Sequence, residues 1–158
     1  MKESDSILIL ENIRSAQNVG ALFRTADAAG ISHIYIVGYT PDPLDRFGHP
    51  RNDIAKAALG AEKTIPWKHV ATISPLLKKL KKEGFQIIAI EQSENSVDYK
   101  KIKTTGKVAF ILGNEVEGVS KTALKNSDII AEIPMKGEKE SLNVSVAGGI
   151  AMFRILGI

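Results

Sequence analysis

Two short stretches hold the side chains best suited to chemistry. NVGALFRTAD places Asn18 near a helix start and Arg24 six residues on, about 9 Å along the axis at ~1.5 Å per residue. A cap residue and a surface arginine paired with Asp27 would explain the same spacing. LGNEVEGVS, Leu112 to Ser120, follows an apolar run and carries two glycines with Glu115 and Glu117. Glycines after such a run suggest a phosphate-cradling loop, but GxxxxGK[ST] needs a lysine where Val119 stands, and two carboxylates would repel a phosphate. Such a loop suits a cationic or neutral ligand better than an anionic one. GxGxxG after a strand and G-x-S-x-G are both absent, which argues against a dinucleotide fingerprint and a hydrolase nucleophile elbow.

Composition narrows the remaining classes. With no cysteine, disulfides and thiolate metal sites are excluded, and His33, His49 and His69 lack close metal-ligand spacing, so no metal is expected. A formal net charge of +3 permits contact with a polyanion without identifying one. No apolar run approaches the ~20 residues of a membrane span, and MKESDS has no apolar signal core, so the protein is expected in the cytoplasm.

The elements that must position these residues alternate. Ser6 to Leu10, His33 to Val37, Gln86 to Ile90, Val108 to Leu112 and Ile129 to Ile133 are apolar and β-branched, and read as strands covered on both faces. A helix is expected from about Gln17 to Ala29, with Val19, Leu22, Phe23 and Ala26 inward and Gly30 as its stop. Ser74 and Pro75 signal a cap and first turn for LLKKLKKE, which closes at Gly84. Leu76, Leu77 and Leu80 should face the sheet, leaving Lys78, Lys79, Lys81 and Lys82 as a solvated outer face. Alternation of strand and helix gives an α/β class with a mostly parallel sheet and helices on both faces.

Two segments resist a simple reading. Thr40 to Asp53 is long for a connection and holds three prolines with Arg46, His49 and Arg51; it is either functional or a proline-rich excursion. Near the end, Leu142, Val144 and Val146 alternate like a strand, whereas Val146, Ile150 and Phe153 follow helical spacing. Glycines in a helix cost roughly 1 kcal/mol each, so Gly148 and Gly149 imply close approach of a helix, another subunit or a ligand.

Three segments taken in order, NVGALFRTADAAGI, VAFILGNEVEGVS and EIPMKGEKESLNVSVA, resemble the motifs of the SpoU (TrmH-like) family of RNA 2′-O-ribose methyltransferases in the SPOUT superfamily. ALGAEKTIPW is similar to the family's middle segment. The resemblance covers nearly the whole chain and implies a C-terminal deep trefoil knot, S-adenosylmethionine as cofactor and methyl transfer to a ribose 2′-hydroxyl. It assigns Asn18, Arg24, Glu115, Ser141 and Asn143 to catalysis. Backbone groups near Ile90, Gly113, Ile133, Met135 and Leu142 are assigned to the cofactor. Family members are dimers, so a homodimer is expected, with Arg14, Arg46 and Arg51 near the RNA. Residues 1–158 are expected to be one catalytic domain without a separate RNA-binding domain. Transfer RNA leads as substrate and ribosomal RNA follows. Glu115 would orient Arg24 or shape the knot; Glu117 has no assigned role. A non-catalytic RNA-binding module on the same fold, or an enzyme using a nicotinamide cofactor, are the rival readings.

Overall fold

A computed structural model of the chain describes residues 5–104 and 106–158. Among them, seven strands form one parallel sheet: β1 (Ser6–Glu11), β2 (His33–Val37), β3 (Trp67–Val70), β4 (Gln86–Ile90), β5 (Val97–Asp98), β6 (Val108–Leu112) and β7 (Ile129–Glu132), in the spatial order β3-β2-β1-β6-β4-β7-β5. The helices are α1 (Ala16–Ala28), α2 (Asn52–Ala58), α3 (Ala61–Thr64), α4 (Ile73–Lys82), α5 (Lys121–Lys125) and α6 (Val144–Leu156).

The period of two along each strand divides the core. Leu8, Leu10, Ile34, Ile36, Phe110 and Leu112 point to the layer that holds α1 and α6. Ile7, Ile9, Tyr35, Val37, Ala109 and Ile111 point to the layer holding α4 and α5. Burial on both faces explains why these strands read as continuous apolar runs.

The sheet departs from the expectation at its edges. β3 carries exposed Lys68 and His69, and β5 has two residues, so neither has the composition of a buried strand. The strand expected to reach Ile133 stops at Glu132. Ser74 does not cap α4: the helix begins at Ile73 after Thr72, which drives buried Ile73 into the core and places Pro75 in the first turn, where a missing N–H costs little. Leu76, Leu77 and Leu80 are buried as expected.

α1 ends one residue before the expected limit, with Gly30 at φ +75° beyond it. The strand-like alternation after Ser141 is overruled by Asn143, whose Oδ1 accepts from Ser145 N at 2.9 Å and caps α6. Gly148 explains its own cost: a Cβ there would lie 2.7 Å from Leu112 Cδ1 and 2.9 Å from Leu22 Cδ2. The glycine lets α6 approach both β6 and α1.

Candidate active site

The carboxyl ends of β4, β6 and β7 open onto a pocket of about 480 Å³, where parallel sheets commonly bind ligands. The loop after β6 forms one wall and is closed on itself. Asn114 N donates to Gly118 O at 3.1 Å, and Gly118 N returns to Asn114 O at 2.9 Å. Asn114 Oδ1 accepts from Val116 N and Glu117 N, both at 2.8 Å, while its Nδ2 donates to Asn12 O and Tyr39 Oη. No aliphatic side chain could serve all four groups.

Closure leaves no room for side chains at two positions. A Cβ on Gly113 would fall 2.4 Å from both Gly118 C and Val119 N. Gly118 has φ +75°, and a Cβ there would meet Glu91 Oε2 at 2.1 Å. That same oxygen accepts from Val119 N at 2.8 Å, tying the loop to the end of β4. On the far side, buried Glu11 accepts from Ser120 N at 3.0 Å and Ser120 Oγ at 2.8 Å, fixing the exit of the loop to β1.

Glu115 joins the loop to α1. Its carboxylate accepts from Arg14 N at 2.8 Å, Ser15 N at 2.9 Å and Asn18 Nδ2 at 3.0 Å. Burial opposes ionisation of this group, but the three donors outweigh it and hold its pKa below the ordinary carboxylate range. The negative charge also sits at the positive end of α1. Asn18 Oδ1 in turn accepts from Asn143 Nδ2 at 3.3 Å, so Glu115, Asn18 and Asn143 form one chain of hydrogen bonds.

All five residues assigned to the cofactor, Ile90, Gly113, Ile133, Met135 and Leu142, line the pocket, with Glu115, Ser141 and Asn143. Arg24 does not join them. Its side chain is exposed on α1 and makes no hydrogen bond or ion pair among the described residues, and within the protomer Glu115 bonds Asn18. Arg14 and Arg46 are exposed. Arg51 forms a two-toothed pair with Asp53, at 3.2 Å from Nε and 2.7 Å from Nη2, which raises the arginine's pKa and lowers the aspartate's. The sequence reading omitted Glu11, Glu91 and Asn114, which build the wall; their signal was a polar residue at the end of an apolar strand or beside Gly113.

The chain matches the profile of the SpoU rRNA Methylase family over residues 5–153. It belongs to that family. Among SpoU relatives, a 23S rRNA (guanosine-2′-O-)-methyltransferase of Vibrio vulnificus is 33% identical over 150 residues, covering 95% of this chain and 58% of that protein. An AdoMet-bound rRNA methyltransferase from Sinorhizobium meliloti superposes with a TM-score of 0.87 at 31% identity, covering 98% of this chain and 56% of that one. The A. aeolicus TrmH/SpoU tRNA modifying enzyme superposes with a TM-score of 0.85 at 29% identity, covering 99% and 76%. The chain thus spans little more than half the length of the curated SpoU relative. Among the described residues no group of three or more His, Asp or Glu is placed to hold a metal ion, and no helix is long and apolar enough to cross a membrane.

Proposed function

We propose that the chain transfers a methyl group from S-adenosylmethionine to a ribose 2′-hydroxyl of RNA, with ribosomal RNA ahead of tRNA as substrate. The observation that carries this reading is the hydrogen-bonded chain Glu115–Asn18–Asn143 at the rim of the pocket lined by Ile90, Gly113, Ile133, Met135 and Leu142. The order of substrates reverses the expectation from sequence, because the curated relative cited above is named for 23S rRNA.

The pocket suits the cofactor. About 480 Å³ lies in the usual range for small-molecule sites. Gly113 lets the loop close on its own backbone to form the wall, and Glu117, whose carboxylate makes no hydrogen bond among the described residues, lends negative character to that wall facing a cationic ligand. When bound, S-adenosylmethionine supplies an electrophilic methyl group on its sulfonium.

The residues around it orient the nucleophile. Asn18 commits one amide N–H to Glu115 and keeps the second for the ribose. Glu115 is held ionised by three donors and is a weak base, so it positions Asn18 rather than taking the proton. Ser141 and Asn143 carry further polar groups at the pocket edge. As the O–CH₃ bond forms and the S–CH₃ bond breaks, the hydroxyl proton leaves to solvent, and the Arg24 guanidinium stabilises the forming alkoxide or grips the adjacent phosphate.

A single protomer leaves Arg24 outside its own pocket. α6 exposes Val146 and Ile150 beside its contact with α1, where Gly149 faces Thr25. A homodimer packed on this strip brings Arg24 to the subunit interface. The segment after β7 returns from beyond β4 to start α6 over β6 and α1, which supports the trefoil knot. Labelled methyl transfer to total rRNA and total tRNA, followed by nuclease digestion, tests the proposal: the label should appear as a 2′-O-methylated nucleotide. Label on a base, or in neither RNA, would refute it.

A further inference from the structure

Tyr39, Leu44 and Phe47 are three of the ten large apolar side chains exposed among the described residues, and they crowd into one short stretch after β2. Scattered exposed apolar residues need no explanation, but this group sits on a built loop. Asp45 Oδ1 accepts from Phe47 N at 2.8 Å and from His49 N at 2.9 Å. Asp45 N donates to His49 O at 2.8 Å, and Gly48 N to Asp45 O at 3.0 Å, with Gly48 at φ +79°. Leu44 bridges Pro50, and Arg51 N closes the base on Pro43 O at 2.9 Å. The tip is therefore fixed before any ligand arrives.

Phe47 stands on that tip, 69% exposed. The Arg46 guanidinium lies 4.7 Å from its ring centroid, and the His49 ring 6.4 Å. At that exposure most of the phenyl ring remains uncovered. The loop leaves the carboxyl end of the sheet, as the pocket does. Its first residues are wired to the pocket wall: Tyr39 N donates to Asn12 Oδ1, and Tyr39 Oη accepts from Asn114 Nδ2 at 2.8 Å. β2 lies two strand spacings from β6, about 10 Å. Folded RNA is read chiefly through unpaired bases that stack on aromatic rings and arginine planes.

We propose that Phe47, backed by Arg46 and His49, is a stacking platform for an unpaired base of the RNA, flanking the nucleotide whose ribose enters the pocket. This rests on the RNA methyltransferase reading and adds to it the kind of RNA required, a single-stranded or bulged segment rather than a continuous duplex. The arginine contributes both a second planar surface and attraction to the adjoining phosphate.

The test uses a short single-stranded RNA carrying 2-aminopurine, its fully paired counterpart, and the full-length protein. Base–aromatic stacking corresponds to roughly 5- to 150-fold in affinity. Phe47→Ala should weaken binding of the single strand within that range, abolish the quenching of 2-aminopurine and raise KM in methyl transfer. Phe47→Trp should restore all three, and Arg46→Ala should show a smaller loss. The paired RNA should bind more weakly and be insensitive to Phe47→Ala. Methylation of RNA by the wild type with unchanged binding by Phe47→Ala would overturn the platform and leave the methyltransferase standing. Equal loss in Phe47→Ala and Phe47→Trp would also overturn it, and absence of any RNA binding by the wild type would remove both readings.

Discussion

Replacing Glu115 with glutamine neutralises a carboxylate that accepts three hydrogen bonds at once, from Arg14 N, Ser15 N and Asn18 Nδ2. One amide oxygen can replace Oε2, which serves Ser15 and Asn18, but the Arg14 N–H then faces an NH₂ group. Loss of a hydrogen bond to a charged acceptor costs about 1.5–3 kcal/mol, and the attraction between the carboxylate and the end of α1 adds a few tenths. Allowing for partial exposure, Glu115→Gln should destabilise the fold by about 2–3 kcal/mol, or about 4–12 °C in Tm for a chain of this size. The pH dependence has a definite sign. Because the folded pKa lies below the ordinary carboxylate value near ~4.3, the contribution is complete above that value and fades as pH falls through the folded one. Thermal melts of both proteins from neutral to acid pH should therefore converge on the acid side. A difference that stays constant across that range, or equal stability at neutral pH, would refute the role assigned to this carboxylate.

Other substitutions separate the remaining contributions. Gly113→Ala should abolish S-adenosylmethionine binding in calorimetry and lower stability by about 1–3 kcal/mol, because its Cβ meets backbone at 2.4 Å and neither side can yield cheaply. Gly148→Ala and Gly149→Ala should diverge in chemical denaturation. The first drives a methyl against Leu112 and Leu22 and should destabilise by about 1 kcal/mol; the second meets Thr25 Cγ2 at 3.3 Å and should be neutral or stabilising through the helix propensity of alanine. Arg24→Ala should lower turnover with saturating RNA by roughly 100-fold while leaving S-adenosylmethionine binding in calorimetry unchanged, since the side chain lies outside the protomer's own pocket.

The central sheet was legible because β1, β2, β4 and β6 are buried on both faces and leave no polar residue within their apolar runs. β3 was not, since an edge strand with Lys68 exposed and His69 hydrogen-bonded to Asp42 and Gly38 O has no such signature. α4 shows how tertiary burial overrides local capping: Ser74–Pro75 is a sound start signal, yet Ile73 is drawn into the core and the helix opens there. Within the site, motif resemblance marked the residues at the pocket but not the scaffold beneath them. Glu11, Glu91 and Asn114 act through partners far along the chain, and no local spacing reveals that Asn114 faces Asn12 or that Glu11 caps the exit at Ser120.

The bonds that assemble the pocket wall span extreme sequence separations: Arg14 to Glu115, Asn12 to Asn114 and Glu11 to Ser120 each join residues more than about a hundred positions apart. During synthesis the end of β1 and the start of α1 emerge first and wait, with the loop's three anchors unpartnered, until β6 has left the ribosome and inserted between β1 and β4. The entropy of closing so long a loop must be met before any of these bonds forms. Binding competence therefore cannot precede synthesis of the loop after β6, and a chain that ends before β6 holds the wall's anchors without the wall.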